Sequence, residues 1–232
     1  MQRRRIAVII GAGPGLGASL AQALSKTHSL LLLSRSLPES LPRLHLKIPE
    51  DQLIVASSDG TRKSLDAAMK HVEETWPGSV FDVGIVNTGG KWTPGHFLDQ
   101  KVEDFNENFQ SGPIGAFNLA QILIPLFLSN SSPTKGTLIF TGATLAMRGG
   151  SNFSAMAPAM FARRCLSQSL AREFSPQGVH VAHVIVDGHI DPAKEGTTLR
   201  PQDIAQSYLN LIDQPRSAWT QEMDLRPFME TF

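Results

Sequence analysis

The residues that could do chemistry begin with a glycine-rich turn near the start of the chain. The apolar run at residues 6–10 is typical of a buried strand, and leucines at helical spacing follow the turn. Glycine lets the backbone turn tightly and approach a ligand closely, while the N-terminus of a helix attracts anions. The sequence therefore predicts a phosphate-binding turn between a strand and a helix. Its residues are Gly11, Gly13, Gly15, Leu16 and Gly17.

The spacing of these glycines separates two kinds of phosphate-binding turn. It is Gly-x-x-x-Gly-x-Gly at positions 11, 15 and 17. It is not Gly-x-Gly-x-x-Gly, because Leu16 stands where the last glycine of that pattern belongs. A glycine motif alone is also typical of a tight turn without a ligand, and both interpretations are open at this point.

Polar residues follow the second and third predicted strands. The second strand, at residues 29–34, ends at Ser34 and is followed by Arg35. In a dinucleotide-binding fold, an acid here binds the 2′-hydroxyl of the adenosine ribose, whereas an arginine pairs with a 2′-phosphate. Arg35 favours NADP over NAD, and the alternative is a surface arginine in a loop rich in proline and serine. Asp59, after the third strand, would accept a hydrogen bond from adenine or cap the next helix.

Strands and helices alternate along the chain that must position these residues. The predicted strands cover residues 6–10, 29–34, 52–57, 81–86, 137–140 and 179–186, and a short strand is expected in the tail after residue 219. Helices are predicted to begin at Leu16 and to cover residues 61–76, 98–127, 152–174 and 201–212. This order predicts an α/β fold: a Rossmann-type, doubly wound parallel sheet with helices on both faces, in a single domain over residues 1–232.

The composition narrows the possible partners. The chain has 232 residues, is 41% hydrophobic and carries no net charge, so it offers no electrostatic footprint for nucleic acid or an anionic membrane. The first apolar run is too short to cross a bilayer, and no signal peptide or transmembrane helix is expected. The single cysteine, Cys165, excludes an internal disulfide and fits a reducing, cytoplasmic location. It is expected to pack inside an apolar helix. No cluster has the spacing of metal ligands.

Four segments resemble the motifs of one family. The glycine turn is similar to the cofactor turn of the short-chain dehydrogenase/reductase superfamily, and residues 87–90 are similar to its Asn-Asn-Ala-Gly segment. Residues 169–173 resemble the end of its active-site helix, and residues 187–191 stand where its Pro-Gly segment follows the sixth strand. The resemblance extends over almost the whole chain.

This resemblance implies that the chain binds NADP(H). It places the phosphates over the glycine turn, Arg35 beside the 2′-phosphate and Asp59 near the adenine. It places Asn87 near the adjoining ribose and counts Gly89 among the cofactor-binding residues. Pro14 stands where related turns often carry a basic residue, so Arg35 alone would hold the 2′-phosphate.

The resemblance also implies a catalytic tetrad that this sequence lacks. Carbonyl reduction in the family uses a tyrosine acid, a lysine four residues later, a serine and an asparagine. Tyrosine and lysine at this spacing share one helix face, so the ammonium stabilises the phenolate. The single tyrosine, Tyr208, is followed four residues later by Ile212. Counted back from residues 169–171, the tyrosine and lysine positions hold Met156 and Met160. The serine position falls at Ala143 and the asparagine position near Gly112.

Two thioethers therefore stand at the positions of the acid and the lysine. Methionine adapts to irregular apolar shapes, so Met156 and Met160 suit a hydrophobic substrate. The alternative interpretation is core packing of two residues one helical turn apart.

Four polar residues are candidates for the remaining catalytic work: Thr144, Arg148, Asp187 and His189. His189 follows the carboxyl end of a strand, where α/β folds bind ligands, and histidine titrates near neutral pH. It is a candidate for proton transfer, and a solvated loop histidine is the alternative. Arg148 and Asp187 would orient a substrate. The loop at residues 192–199 is short for a substrate lid, which predicts an open site.

Three functions are compatible with this sequence. The first is an NADP(H)-binding enzyme with a degenerate tetrad that carries out an atypical reduction or a non-redox cyclisation or rearrangement of a hydrophobic small molecule. The second is an NADP-dependent oxidoreductase with a substitute proton donor, and the third is a non-catalytic dinucleotide-binding protein. Long helices at residues 98–127 and 152–174 imply, by the resemblance, a homodimer or homotetramer.

Overall fold

A computed structural model describes residues 3–191, 193 and 196–229. The predicted short loop at residues 192–199 includes Pro192, Lys194 and Glu195, which lie outside the described residues. The end of the predicted irregular tail, residues 230–232, lies outside them as well.

The described residues form one seven-stranded sheet in which every neighbouring pair of strands is parallel. The strand order is β3-β2-β1-β4-β5-β6-β7. The strands are β1 (Arg5–Ile10), β2 (Ser29–Ser34), β3 (Leu53–Ser57), β4 (Val80–Val86), β5 (Gly136–Gly142), β6 (Val179–Val186) and β7 (Glu222–Leu225). The order reverses between β1 and β4, and ligands of such sheets bind outside the carboxyl ends of the strands at this switch point.

Helices cover both faces of the sheet, as predicted for a doubly wound fold. They are α1 (Leu16–Leu24), α2 (Arg62–Thr75), α3 (Val102–Phe109), α4 (Gly115–Leu128), α5 (Ala157–Phe174) and α6 (Pro201–Ile212). Helices α1 and α6 contribute to one hydrophobic cluster, and α2, α4 and α5 contribute to the other. Burial of each large aliphatic side chain stabilises these layers by about 1.5–3 kcal/mol.

The helix predicted at residues 98–127 begins later than the sequence indicated. Leu98 lies in a short 3₁₀ turn, and the helix starts at Val102. A π-helical turn, Gln110–Ile114, joins α3 to α4 and contains Pro113. Proline has no N–H to donate, and a π-turn is a common way to accommodate such an interruption without ending the helix.

The helix predicted at residues 152–174 also begins later, at Ala157. Asn152 has a φ of 70°, in the left-handed region, so a right-handed helix cannot start there. Pro158 lies in the first turn, where the missing N–H costs no hydrogen bond.

Residues Val102–Leu128 are long and apolar enough, by length and composition alone, to cross a membrane. Half of the most apolar stretch is buried inside the fold, and Leu119, Leu123 and Phe127 are fully buried. Packing against the sheet accounts for much of this apolarity, so the helix does not by itself indicate a membrane span.

Cys165 is exposed, so the expectation that it packs inside the helix is wrong. The buried side of α5 follows the four-residue spacing of Ala159, Arg163, Ser167 and Ala171. Cys165 lies off this line, and the buried position at its centre is occupied by an arginine rather than an apolar side chain.

Candidate active-site cleft

The turn between β1 and α1 has a geometry that requires glycine. Gly11 has a φ of 87°, and a Cβ at this position would overlap the backbone carbonyl of Asn87. A Cβ at Gly17 would lie 2.9 Å from the carbonyl oxygen of Gly11. The turn and the first turn of α1 therefore approach each other, and the neighbouring strand, more closely than any side chain would allow.

The other side of the turn is open. A Cβ added at Gly13 or Gly15 meets no atom within 4 Å. Gly15 caps α1 without a side-chain hydrogen bond, and the N–H of Ala18 donates to the carbonyl of Gly13 at 2.9 Å. Among the described residues no acceptor faces the N–H groups of Leu16 and Gly17, which are left for a ligand. Leu16 is buried and anchors the start of α1 in the hydrophobic cluster under the sheet.

A cleft of about 300 Å³ lies beside this turn, at the carboxyl ends of β1, β2 and β4. The predicted cofactor residues that line it are Gly11, Gly13, Ser34, Arg35, Asp59, Asn87 and Gly89. Gly15, Leu16 and Gly17 do not line it. The other lining residues are Ile10, Ser36, Ser58, Thr88 and Ser111.

Asn87 links the end of β4 to the glycine turn. Its side-chain Nδ2 donates to the carbonyl oxygen of Gly11 at 3.1 Å, and its backbone N–H donates to Ile10 at 2.8 Å. These bonds join the end of β4 to the glycine turn. One asparagine therefore connects the two segments between which a nucleotide would enter.

Asp59 organises the start of α2. Its Oδ1 accepts from the backbone N–H of Thr61 at 3.0 Å, the Thr61 hydroxyl at 2.7 Å and the Ser64 hydroxyl at 2.9 Å. The hydrogen bonds from Thr61 contribute most to lowering the pKa of Asp59. The carboxylate also lines the cleft. The N-cap of α2 is Thr61, whose hydroxyl accepts from the backbone N–H of Ser64, so the alternative that Asp59 is the cap is wrong, and its contact with adenine stays a prediction.

Arg35 is not a free cation at the mouth of the cleft. Its Nη1 lies 2.8 Å from Oε1 of Glu107, which is on α3. Lys91 lies 2.6 Å from Asp104 and 3.6 Å from Glu107, and Asp104 raises the pKa of Lys91 most. Two cations and two carboxylates therefore form one network beside the cleft.

The segments that carry the four tetrad positions pack together. Helix α5 contacts both the turn Thr144–Ala146 that follows Ala143 and the π-turn that contains Gly112. A Cβ at Gly112 would lie 3.8 Å from that of Ala159 on α5. Met156 precedes α5 and is buried, and Met160 is half-buried one turn later. None of these four side chains carries a hydroxyl, a phenol or an ammonium group.

Of the four catalytic candidates, the structure brings Thr144 and Asp187 together. The Thr144 hydroxyl donates to Oδ1 of Asp187, and Oδ2 of Asp187 lies 2.5 Å from Nη2 of Arg226. Asp187 is only 4% exposed, so this carboxylate is held between a hydroxyl and a guanidinium. Arg148 and His189 are exposed, and within the described part of the chain neither side chain forms a hydrogen bond to protein.

Arg163 is a site residue that the sequence interpretation missed. It is 3% exposed, and its Nη1 donates to the carbonyl oxygen of Thr88 at 2.6 Å and to its hydroxyl at 3.1 Å. Burial lowers its pKa to about 10. The signal in the sequence was its spacing. Arg163 stands four residues from Ala159 and four from Ser167, two small residues, so it shares one helix face with them and that face packs on the core.

An aromatic pair was also missed. The rings of Trp92 and Phe153 lie 5.5 Å apart, and Trp92 is 71% exposed. Trp92 follows the segment that ends β4, and Phe153 precedes α5. The pair therefore joins the loops that follow β4 and β5. Its signal in the sequence was an aromatic residue in each of the loops that follow β4 and β5.

The single tyrosine has a structural role. The hydroxyl of Tyr208 lies 2.8 Å from Oγ1 of Thr141, and its side chain is fully buried. Burial raises its pKa, so it remains a neutral phenol. Within residues 3–191, 193 and 196–229, no group of three histidine, cysteine, aspartate or glutamate side chains is arranged to hold a metal ion.

The sequence profile of the short chain dehydrogenase family matches residues 5–197. An uncharacterized oxidoreductase from Staphylococcus aureus (strain USA300) is 26% identical over 230 residues, covering 96% of this chain and 97% of that protein. A short-chain dehydrogenase from Rhodopseudomonas palustris has a similar structure, with a TM-score of 0.78 and 29% identity over 97% of this chain and 100% of that one.

An alcohol dehydrogenase from Thermococcus sibiricus, solved with 5-hydroxy-NADP, has a TM-score of 0.81 and 20% identity, with 99% of each chain covered. At this identity the likeness concerns the fold alone. The match of the family profile extends from the first strand past the Asp187 segment. The chain therefore belongs to the short-chain dehydrogenase family.

Proposed function

We propose that this protein binds NADP(H) and acts on a hydrophobic small molecule without the usual tyrosine acid. Short-chain dehydrogenases bind a nicotinamide dinucleotide. The observation that carries the proposal is the open side of the glycine turn, where Gly13 and Gly15 leave space above the N-terminus of α1. Backbone N–H groups at this end of a helix suit a pyrophosphate.

The residues of the cleft would each hold one part of the nucleotide. The turn would hold the pyrophosphate, Asp59 the adenine, Asn87 the adjoining ribose and Arg35 a 2′-phosphate, since all lie at the edge of one cleft. The nicotinamide supplies or accepts a hydride when it is bound. These assignments favour NADP(H), because a guanidinium rather than an acid follows β2.

The substrate side of the proposal depends on apolar residues. Trp92 and Phe153 are the aromatic pair on the loops after β4 and β5, whereas Met156 is only 4% exposed and packs in the interior, as in the alternative interpretation of its thioether. A mostly apolar surface with few polar groups is typical of sites for hydrophobic ligands. Without a positioned acid, the reaction would be an atypical reduction of an activated substrate, such as an imine, or a non-redox cyclisation or rearrangement.

One observation favours a second candidate, an oxidoreductase with a substitute proton donor. Thr144 follows Ala143, the position of the family's serine, and donates a hydrogen bond to the buried carboxylate of Asp187. Such a pair would deliver a proton only from its protonated form: Thr144 would give its hydroxyl proton to the substrate and take the proton carried by the Asp187 carboxyl, which would be left as a carboxylate beside Arg226. Stoichiometric NADPH oxidation with a ketone panel would favour this candidate, whereas oxidation only with imines would favour the first.

We also propose that the protein is a homodimer or homotetramer that associates through α4 and α5. Phe117 on α4 and Phe161 on α5 are exposed, as is Ile114 in the π-turn directly before α4, and Phe117 is 48% exposed. Exposed aromatic side chains of this kind mark interaction surfaces. Light scattering of the wild type and of Phe117→Glu measures the association.

We propose a cytoplasmic location as well. An exposed thiol at Cys165 suits the cytoplasm, which keeps thiols reduced.

Calorimetric titration with NADPH and NADH tests the nucleotide site. Gly13→Asp puts a carboxylate on the open side of the turn, where no atom lies within 4 Å, so the fold is retained. Gly149→Asp is the matched control, since Gly149 is equally open and lies outside the cleft. Gly13→Asp is expected to weaken both nucleotides by about tenfold or more through charge repulsion. Wild-type protein that binds neither nucleotide would refute the proposal.

A further inference from the structure

An ion pair between Arg35 and Glu107 lies at the mouth of the cleft. We propose that Glu107 is a specificity-determining residue that limits the preference for NADP(H), because its carboxylate competes with the 2′-phosphate for Arg35. This inference rests on the proposed function, since it requires that a nicotinamide dinucleotide enters the cleft. In the family resemblance, the residue at the end of β2 selects between NADP(H) and NAD(H). The inference gives a residue of α3 a part in this selection as well.

Two side chains from distant parts of the chain meet beside the cleft. Arg35 follows β2, whereas Glu107 is 72 residues further along the chain and belongs to α3. Their side chains meet at 2.8 Å and remain partly in solvent. Ser111, one turn after Glu107, lines the same cleft as Arg35 and Asp59, so Glu107 borders the adenosine end of the cleft.

The charges around Arg35 explain why its partner matters. Glu107 lies between Arg35 and Lys91, and Lys91 is held mainly by Asp104 at 2.6 Å. These two cations and two carboxylates sum to zero, so the cleft mouth has no surplus positive charge. A phosphate monoester carries about −1.5 to −2 charges at neutral pH. The 2′-phosphate can pair with Arg35 only if it displaces the Glu107 carboxylate, or if it binds next to that negative charge.

A dinucleotide without the 2′-phosphate meets the opposite situation. Its 2′-hydroxyl is neutral and is a hydrogen-bond donor, and a carboxylate is the group that recognises this hydroxyl in dinucleotide folds. Glu107 supplies a carboxylate from α3, whereas the end of β2 has none. The same pair of side chains therefore serves both nucleotides, with Arg35 favouring NADPH and Glu107 favouring NADH.

Calorimetric titrations of the apo protein test this assignment. The variants are Glu107→Gln, Arg35→Gln and the double substitution, and the control is Glu103→Gln, an exposed glutamate one turn earlier on α3. Glu107→Gln keeps the size of the side chain and removes its charge. It is expected to raise the ratio of the NADH to the NADPH dissociation constant by about tenfold, whereas Glu103→Gln leaves the ratio unchanged.

The double substitution separates competition for Arg35 from simple repulsion. If Glu107 acts through Arg35, the effect of Glu107→Gln on the ratio falls by more than half in the Arg35→Gln background. An unchanged ratio in Glu107→Gln, or an equal change with and without Arg35, overturns this inference while nucleotide binding itself stands. Binding of neither nucleotide by the wild type overturns the proposed function and this inference with it.

Discussion

Restoring two side chains at the start of α5 should create a reductase. Met156 and Met160 are one helical turn apart, and α5 packs against the segments that carry Ala143 and Gly112. The double variant Met156→Tyr/Met160→Lys returns a phenol and an ammonium to the two positions. A positioned general acid contributes about 10²–10⁴ in rate, or roughly 3–5 kcal/mol of activation free energy.

The structure sets the expected gain near the lower end of that range. Ala143 and Gly112 remain without their polar groups, so the carbonyl is not polarised and the proton relay is incomplete. Met156 is buried, so a larger ring costs about 1–3 kcal/mol of folding stability. A gain of about 10² in kcat/KM is therefore expected.

The assay is NADPH oxidation, followed by absorbance, with a panel of aldehydes and α-diketones. Met156→Phe/Met160→Lys is the matched control, because phenylalanine fills the same volume as tyrosine without the hydroxyl. The rate difference between the two double variants measures the phenol alone. Equal rates in both would refute the assignment of position 156 as the place of the missing acid, provided that both variants bind NADPH.

Three further outcomes are expected. Arg35→Ala weakens NADPH by about tenfold and NADH much less, as calorimetry would measure, and equal losses would remove Arg35 from the 2′-phosphate site. Asp187→Asn costs about 1–3 kcal/mol in urea unfolding, because a buried carboxylate bonded to Thr144 and Arg226 loses its charge. Asp224→Asn, which alters an exposed partner of the same arginine, is the control and costs less than 1 kcal/mol. His183 is fully buried, which lowers its pKa from 6.5 to about 4. Between these values the unfolded chain binds the proton and the folded chain does not, so stability falls by about 3 kcal/mol as pH drops from 7 to 4. Urea unfolding of His183→Asn should lack this part of the acid sensitivity, and an identical pH dependence in both proteins would contradict it.

The fold was predictable because its elements are defined by local pattern. The continuous apolar run of β2 is fully buried except at its last residue, as expected for a strand covered on both faces. The errors arose where one backbone angle or one missing N–H decides the outcome. Asn152 delays α5 through a left-handed conformation, and Pro113 is absorbed in a π-turn. Neither follows from hydrophobic periodicity.

The candidate site was predictable where a motif is contiguous and was not where it depends on distant residues. The glycine turn and Asn87 were identified from short segments. The pairing of Arg35 with Glu107 joins residues 72 positions apart, and no local pattern contains both. Arg163 was overlooked because a charged residue is ordinarily a surface residue, whereas here two oxygens of Thr88 satisfy one of its nitrogens in the interior.

The glycines of the turn do not all carry the same information about function. Gly11 and Gly17 are required by packing, since a Cβ at either would collide with backbone atoms. Gly15 is required by its φ of 86°. These three would be needed for the fold even if no nucleotide bound. Gly13 has neither a positive φ nor a neighbour within 4 Å, so neither packing nor backbone conformation explains it. A substitution at Gly13 therefore affects a bound ligand without affecting the turn. Its effect on nucleotide binding distinguishes a turn that binds a nucleotide from one that only keeps the backbone conformation of the family.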